Sequence, residues 1–216
     1  MVDALAQGCM IVWTRVREVA LLDYTAVLSH DEVARASRIR SSEARYEFMV
    51  ARNIVRTIAG GVLDCSGAEV DIVIGPKGKP AFGPRHQTDL TFNISHSAGY
   101  VAVAFAYGVD LGLDIELSGS TMHRLARHFL TTEENSRILT ILPAERDPVL
   151  LRTWCAKEAL LKAAGVGFTL DPRCIEVLQG IDPFRLGPVT LRDKVWYLEE
   201  KELGDQVYVV IAWSTA

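Results

Sequence analysis

The sequence predicts an α+β fold built as two similar α/β lobes joined near Gly108. Three observations lead there. Residues 90–97, 100–107 and 109–117 read as consecutive strands with tight connections at Ala98-Gly99 and Gly108. Residues 42–59 and 147–164 carry the apolar spacing of long helices. The order of elements is strand, helices, strands, then helices and strands again, which argues for lobes at 1–107 and 108–216.

Residues 9–17, CMIVWTRVR, are β-branched and apolar and form the first predicted strand. Ser29 and Ser41 or Ser42 are predicted helix N-caps, with Asp31, Glu32 and Glu43 in the first turns that follow. The helix over 42–59 is predicted to stop or loosen at Gly60-Gly61. The alternation of EVDIVI predicts a strand over 69–74, and GPKGKPAFGP, 75–84, a short structured loop. The three strands that follow are spaced for an antiparallel meander. After Ser118-Gly119-Ser120 the pattern predicts helices at 121–129, 132–141 and 147–164, with Thr131 and Asp147 as caps. Strands are predicted at 174–178, 189–198 and 206–213.

Composition narrows the function classes. With 216 residues, 49% hydrophobic and 23% charged, the chain can bury a core without disulfides. A net charge of -4 excludes polyanion binding by bulk charge, so no nucleic-acid partner is expected and any phosphate site must be a local basic cluster. Cys9, Cys65, Cys155 and Cys174 form no C-x-x-C pair and read as free, mostly buried thiols of a reducing compartment. MVDALAQGCMIVW lacks a basic region before a long apolar run, and no stretch approaches the roughly 20 apolar residues of a membrane span. A cytoplasmic protein with no signal peptide and no membrane contact is expected.

In "LGLDIEL", 111–117, Asp114 and Glu116 fall on one strand face, about 7 Å apart along the backbone. A solvated sheet face explains such a pair; so does a hard-cation site, because paired carboxylates repel unless a cation lies beside them. On the helix over 147–164, Leu151, Trp154, Cys155, Glu158, Leu161 and Lys162 fall on one stripe. An i, i+4 salt bridge is the plain explanation of Glu158 and Lys162. Charges near the middle of an apolar stripe are costly, however, and that favours a functional role. Three carboxylates and a lysine from two elements suggest Mg²⁺ with a phosphate group.

"FNISHS", 92–97, sets Ser95 beside His96 without a nucleophile elbow. His96 is either a core histidine or, with Ser95, a phosphate contact at a strand end. "GPKGKP", 75–80, is not a Walker loop; Lys77 and Lys79 mark a solvated hairpin tip or a phosphate-binding loop. Arg45, Arg52 and Arg56 share a helical sector, either as a solvated basic face or as a site for an anionic ligand.

Together, "GKP" (78–80), "FNISHS" (92–97), "GLDIE" (112–116) and "WCAKEALLKAAG" (154–165) resemble, in order and spacing, the motifs of the Sfp-type 4'-phosphopantetheinyl transferases. "ARNIVR" (51–56) is similar to that family's arginine-containing helix, and the last fifty residues carry no matching motif. The resemblance implies two pseudo-twofold-related α/β lobes with the active site in the cleft between them. It implies transfer of the phosphopantetheine arm of coenzyme A, the substrate, to a serine of an apo carrier protein of acyl or peptidyl type, releasing adenosine 3',5'-bisphosphate. The pathways it suggests are fatty acid, polyketide or non-ribosomal peptide synthesis. By motif position Asp114, Glu116 and Glu158 would ligate Mg²⁺, with Mn²⁺ as an alternative, and Lys162 would meet the α-phosphate. Lys79, Ser95 and His96 would contact the nucleotide end, and Arg45 and Arg52 further phosphates. Glu158 or a metal-bound water would be the general base, with Glu158 favoured, and Glu133 of "FLTTEE" matches an acidic position with Glu134 beside it. The carrier would dock over 119–142, and a monomer is expected. The competing readings are a non-catalytic module that binds coenzyme A or a carrier protein, and a Mg²⁺-dependent nucleotidyl or phosphoryl transferase.

Overall fold

A computed structural model of the chain describes residues 1–4, 8–16, 25–119, 122–181, 184–204 and 207–215. Strand β1 (Val2–Ala4) pairs antiparallel with β2 (Met10–Arg15); Arg17, the last residue of the strand predicted there, lies outside the described residues. Ser29 starts α1 (His30–Arg38) with a capping box closed by Glu32. Ser41 starts α2 (Ser42–Val62) by accepting the Ala44 N–H. Contrary to expectation, α2 runs through Gly60-Gly61. A Cβ on Gly60 would lie 2.8 Å from the Cys65 carbonyl oxygen and 2.9 Å from the Gly67 nitrogen, so this glycine serves close packing rather than helix termination.

The strand predicted from residue 69 starts late, because Ser66 caps a 3-10 turn over Gly67–Glu69. Strands β3 (Ile72–Ile74) and β4 (Pro80–Phe82) form a hairpin, with the GPKGK segment as its tip. Then come β5 (Leu90–Ser97) and β6 (Tyr100–Tyr107). The sheet order is β1-β2-β6-β5. Its apolar face closes on α2 through Val50, Ala51 and Val55 of the helix and Leu90, Phe92, Val101, Val103 and Phe105 of the strands.

These elements form one compact unit, Met1–Tyr107, and Gly108–Ala216 form another. The predicted meander ends at this point. Strand β7 (Val109–Leu117) leaves Gly108, whose φ is 65°, and pairs with a strand from the end of the chain. The helix predicted at 121–129 is reduced to a 3-10 turn at Ala126–His128, with Thr121 outside the described residues. Asp147, predicted to cap its own helix, instead accepts the Met122 and His123 N–H groups at 3.2 and 3.1 Å. Thr131 caps α3 (Thr132–Leu139) in a capping box with Glu134. Helix α4 (Arg146–Ala163) follows, with Glu145 at its N-cap position.

The strand predicted at 174–178 is mostly irregular: Cys174 ends a 3-10 turn (Pro172–Cys174), and only Leu178 is in a strand, β8 (Leu178–Ile181), which pairs with β9 (Phe184–Leu186). The strand predicted over 189–198 is split between β10 (Val189–Leu191) and β11 (Lys194–Leu203). Arg192 and Asp193, with φ of 53° and 60°, supply the two left-handed residues of a tight hairpin turn. Strand β12 (Val207–Thr215) completes an antiparallel sheet of order β10-β11-β12-β7. Helix α4 lies across β7 and β12, and its Leu150, Leu151, Cys155, Ala156, Ala159 and Leu160 share a core with Val210 and Ala212.

Candidate active site

Strand β7 alternates as the sequence suggests, with Leu111, Leu113 and Ile115 buried on one face. The opposite face, which the sequence leaves open, is covered. A Cβ on Gly112 would meet the Ala159 carbonyl oxygen at 2.0 Å and the Ala163 nitrogen at 2.3 Å. The glycine therefore lets the backbone of α4 press directly onto β7. That contact sets the reach of every polar group near it.

On α4, Trp154, Cys155, Glu158 and Lys162 recur at the spacing of one helix face and meet the acidic end of β7. The Lys162 ammonium donates to Asp114 Oδ1 at 2.6 Å. The Cys155 thiol donates to the Asp114 carbonyl oxygen at 3.2 Å, and the Trp154 indole N–H to Glu116 Oε1 at 3.1 Å. The glutamate and lysine are half-buried rather than central to a buried stripe, because α4 is buried on nearly all sides and they occupy one of its partly open edges.

Charge is crowded here. Burial, and then the negative charge of Asp114, push the Glu158 carboxyl up to about 7; Lys162 opposes and Glu116 adds to the rise. For Lys162, burial alone would lower the pKa. The charge and hydrogen bond of Asp114, with the charge of Glu158, outweigh it and hold the ammonium above the ordinary lysine value. Burial, followed by the charge of Asp114, also pushes the Cys155 thiol well up, so it stays protonated and acts as a donor.

Among the described residues no three His, Cys, Asp or Glu side chains are gathered as a metal cage. Asp114 is engaged by Lys162 and Glu116 by Trp154. The donor set nevertheless suits Mg²⁺. Its members are carboxylates, and this hard cation is usually held by one or two of them together with waters and substrate phosphate oxygens. Burial first, and then the charge of Asp114, raise the Glu158 carboxyl to about 7, and a cation beside these carboxylates would relieve that crowding.

The residues assigned to the nucleotide end lie in the first unit and differ in how they are presented. His96, at the end of β5, has a side chain 51% exposed, and its Nδ1 lies 3.1 Å from Glu47 Oε2 on α2. Glu47 Oε1 accepts the Gly99 N–H at 2.9 Å, so this carboxylate fixes the ring, and Nδ1 is the nitrogen that donates to it. That leaves the opposite ring nitrogen for a ligand. Ser95 is buried, and Lys79 is half-buried beside the hairpin tip. Arg45 donates twice to the Ile39 carbonyl oxygen, at 3.2 and 2.8 Å.

Arg52 is less open than a solvated basic face would be. It is 5% exposed and lies 3.6 Å from Glu32, while its buried Nη1 has no hydrogen-bond partner among the described residues. Burial lowers its pKa first, partly offset by Glu32. Arg56 is likewise internal, donating to Glu32 at 2.6 Å and to the Val70 carbonyl oxygen at 2.8 Å. This arginine stripe is part of the fold, because the net-polar sector of α2 faces α1 and the 67–70 backbone rather than solvent.

Sequence reasoning passed over three contributors. Lys157 is 0% exposed, 2.5 Å from Glu134, which is also 0% exposed, and it donates to the Phe129 and Pro172 carbonyl oxygens at 2.6 and 3.0 Å. Glu134, rather than the exposed Glu133, therefore holds the inward acidic position, and it also accepts the Val177 N–H at 2.8 Å. Glu47 carried no signal in a helix rich in charge. Trp154 did carry one: an indole that enters a core needs an acceptor, and the nearest acceptors were the carboxylates already identified.

Comparison with known proteins converges on one family. Residues 110–210 match the family described as "4'-phosphopantetheinyl transferase superfamily", and residues 13–107 match "4'-phosphopantetheinyl transferase, N-terminal". A putative 4'-phosphopantetheinyl transferase of Synechocystis sp., slr0495, is 26% identical over 89% of this chain and 81% of its own length. The 4'-phosphopantetheinyl transferase HetI of Nostoc sp. is 35% identical over 69% of this chain and 65% of its own length. Sfp of Bacillus subtilis, also a 4'-phosphopantetheinyl transferase, is 24% identical over 68% of this chain and 64% of its own length. No helix among the described residues is long and apolar enough to cross a membrane.

Proposed function

The chain belongs to the 4'-phosphopantetheinyl transferase superfamily of enzymes, and from that premise we propose that it is an Sfp-type member that modifies a serine of an apo acyl or peptidyl carrier protein. The family uses coenzyme A as substrate and transfers its phosphopantetheine group to carrier proteins. The observation that carries the reading is the seating of Glu158 and Lys162, one turn apart on α4, against the Asp114–Glu116 pair of β7.

In this reading Asp114, Glu116 and Glu158 hold Mg²⁺ with the coenzyme A diphosphate, and Mn²⁺ would fit the same oxygen ligands. When bound, the cation would supply positive charge to the diphosphate oxygens. Lys162, kept charged by Asp114, adds its ammonium at the α-phosphate. Glu158 takes the proton of the carrier serine on its second carboxylate oxygen, since one residue can ligate the cation and still offer that oxygen. As the serine oxygen bonds to the β-phosphorus, the bond from that phosphorus to the bridging oxygen breaks. Adenosine 3',5'-bisphosphate departs with that oxygen. Lys79, Ser95 and His96 are proposed for the nucleotide end, with the 3'-phosphate at the exposed ring of His96 and Arg45 as a further contact.

The test is to incubate the protein with coenzyme A, Mg²⁺ and an apo carrier protein and to weigh the carrier. The expected result is the mass of one phosphopantetheine arm, dependent on Mg²⁺ and abolished in Glu158→Gln with the fold intact. Retained coenzyme A without a mass gain would replace the enzyme with a binding module. Near-normal turnover by E158Q would remove Glu158 as the base.

A further inference from the structure

Trp154 is not a substrate contact in the reading above, yet its indole is the donor seen on Glu116, at 3.1 Å. Its ring packs on Phe129, with centroids 5.1 Å apart and planes at 57°. Phe129 is fully buried, and its backbone is gripped in turn: the Lys157 ammonium donates to its carbonyl oxygen at 2.6 Å. Lys157 is itself held by Glu134, which is anchored by the Thr131 and Val177 N–H groups. A buried ion pair thus fixes the segment that bears Phe129, Phe129 seats the indole, and the indole N–H reaches a carboxylate at the edge of the site.

We infer that Trp154 is a positioning residue that fixes the Glu116 carboxylate for cation binding, with Phe129 and the Glu134–Lys157 pair as its support. A glutamate at a half-buried strand position has several rotamers open to it, and a directed N–H on one oxygen selects among them. The aromatic seat restrains that donor, because an indole has only two torsions and its ring packs on the buried Phe129. Lys157, immediately before Glu158 on α4, is buried on Glu134 and the Phe129 carbonyl. It ties the support to the helix that carries the proposed base. The inference rests on the proposed role of Glu116 as a cation ligand.

The experiment reads Mn²⁺ binding by electron paramagnetic resonance, with coenzyme A present and carrier absent, in the wild type, W154F, E116Q and the double variant. W154F keeps an aromatic ring and loses the donor. It is expected to weaken Mn²⁺ binding about tenfold, the usual size of an effect acting through a ligand's own partner. The Mg²⁺ concentration for half-maximal transfer should rise similarly, with kcat at saturating Mg²⁺ within about threefold of wild type. In the E116Q background the same change should alter Mn²⁺ binding by less than about twofold, because the partner it acts through is gone.

Wild-type Mn²⁺ affinity in W154F, beside a weakened E116Q, overturns the inference and leaves the site reading intact. Equal, additive losses in the double variant also overturn it, since the indole would then act through packing. Wild-type affinity in E116Q overturns the cation reading and this inference with it. Should W154F fail to fold, benzothienylalanine at position 154 keeps the ring shape, removes only the N–H, and carries the same expectations.

Discussion

Gly112→Ala tests the contact on which the whole site depends. The added methyl would lie 2.0 Å from the Ala159 carbonyl oxygen, 2.3 Å from the Ala163 nitrogen and 2.8 Å from the Ala163 Cα, all backbone atoms that no rotamer change can move. A carbon settles against a carbonyl oxygen at about 3.3 Å, so α4 must retreat from β7 by about 1.3 Å. Ala159 and Ala163 are the immediate neighbours of Glu158 and Lys162, so the retreat carries both away from Asp114 and opens the 2.6 Å Lys162–Asp114 bond. Overpacking of this kind costs about 1–3 kcal/mol of stability, and a displacement near 1 Å at the reacting groups costs about a hundredfold in rate. Urea unfolding measures the first, and the rate of mass gain on an apo carrier protein measures the second. If G112A kept the wild-type midpoint, the close approach of helix and strand would be wrong. If it lost stability but kept the wild-type rate, the registry of α4 on β7 would not matter to the chemistry.

Two other predictions follow from buried charge. Lys157→Met leaves the Glu134 carboxylate buried and unpaired, and should cost about 3–5 kcal/mol in urea unfolding, whereas adding Glu134→Gln should restore most of that loss; equal stability of K157M and wild type would refute the pairing. Glu158 has a folded pKa of about 7 against an ordinary value of 4.5, so the folded chain holds its proton more tightly than the unfolded chain does. Metal-free stability should therefore fall as pH rises from about 4.5 to about 7, by no more than about 3 kcal/mol once solvent screening is allowed for, and E158Q should flatten that slope. Urea midpoints at pH 5 and pH 8 measure it, and parallel slopes in the two proteins would contradict the shift.

Ser29, Ser41 and Thr131 cap helices because a side-chain oxygen can reach the N–H groups of the following turn without help from the rest of the chain. Strands β5, β6 and β7 kept their bounds because a period of two and the glycines at their ends are local signals. The ordered motifs point to the superfamily, and Asp114, Glu116, Glu158 and Lys162 stand out from the patterns of β7 and α4 alone.

Everything that depended on a distant neighbour was out of reach of local pattern. Gly112 looks like a bare position, yet it makes room for the backbone of α4 at Ala159 and Ala163. Residues 122–129 have helical spacing, but Asp147 claims two of their N–H groups from 25 and 24 residues away. Arg52 reads as part of a basic face or an anion site until Glu32 and burial enclose it, and nothing in the residues around Lys157 shows that Glu134 meets it in the core. The sequence by itself determined the main helices and strands, most caps, the superfamily and the chemical identity of the acidic and basic groups. Tertiary structure alone decided which of those groups are buried, which partner each one takes, and how near α4 comes to β7. The reason is that burial and pairing free energies belong to groups brought together from far along the chain, and no window of neighbouring residues contains both halves of such a contact.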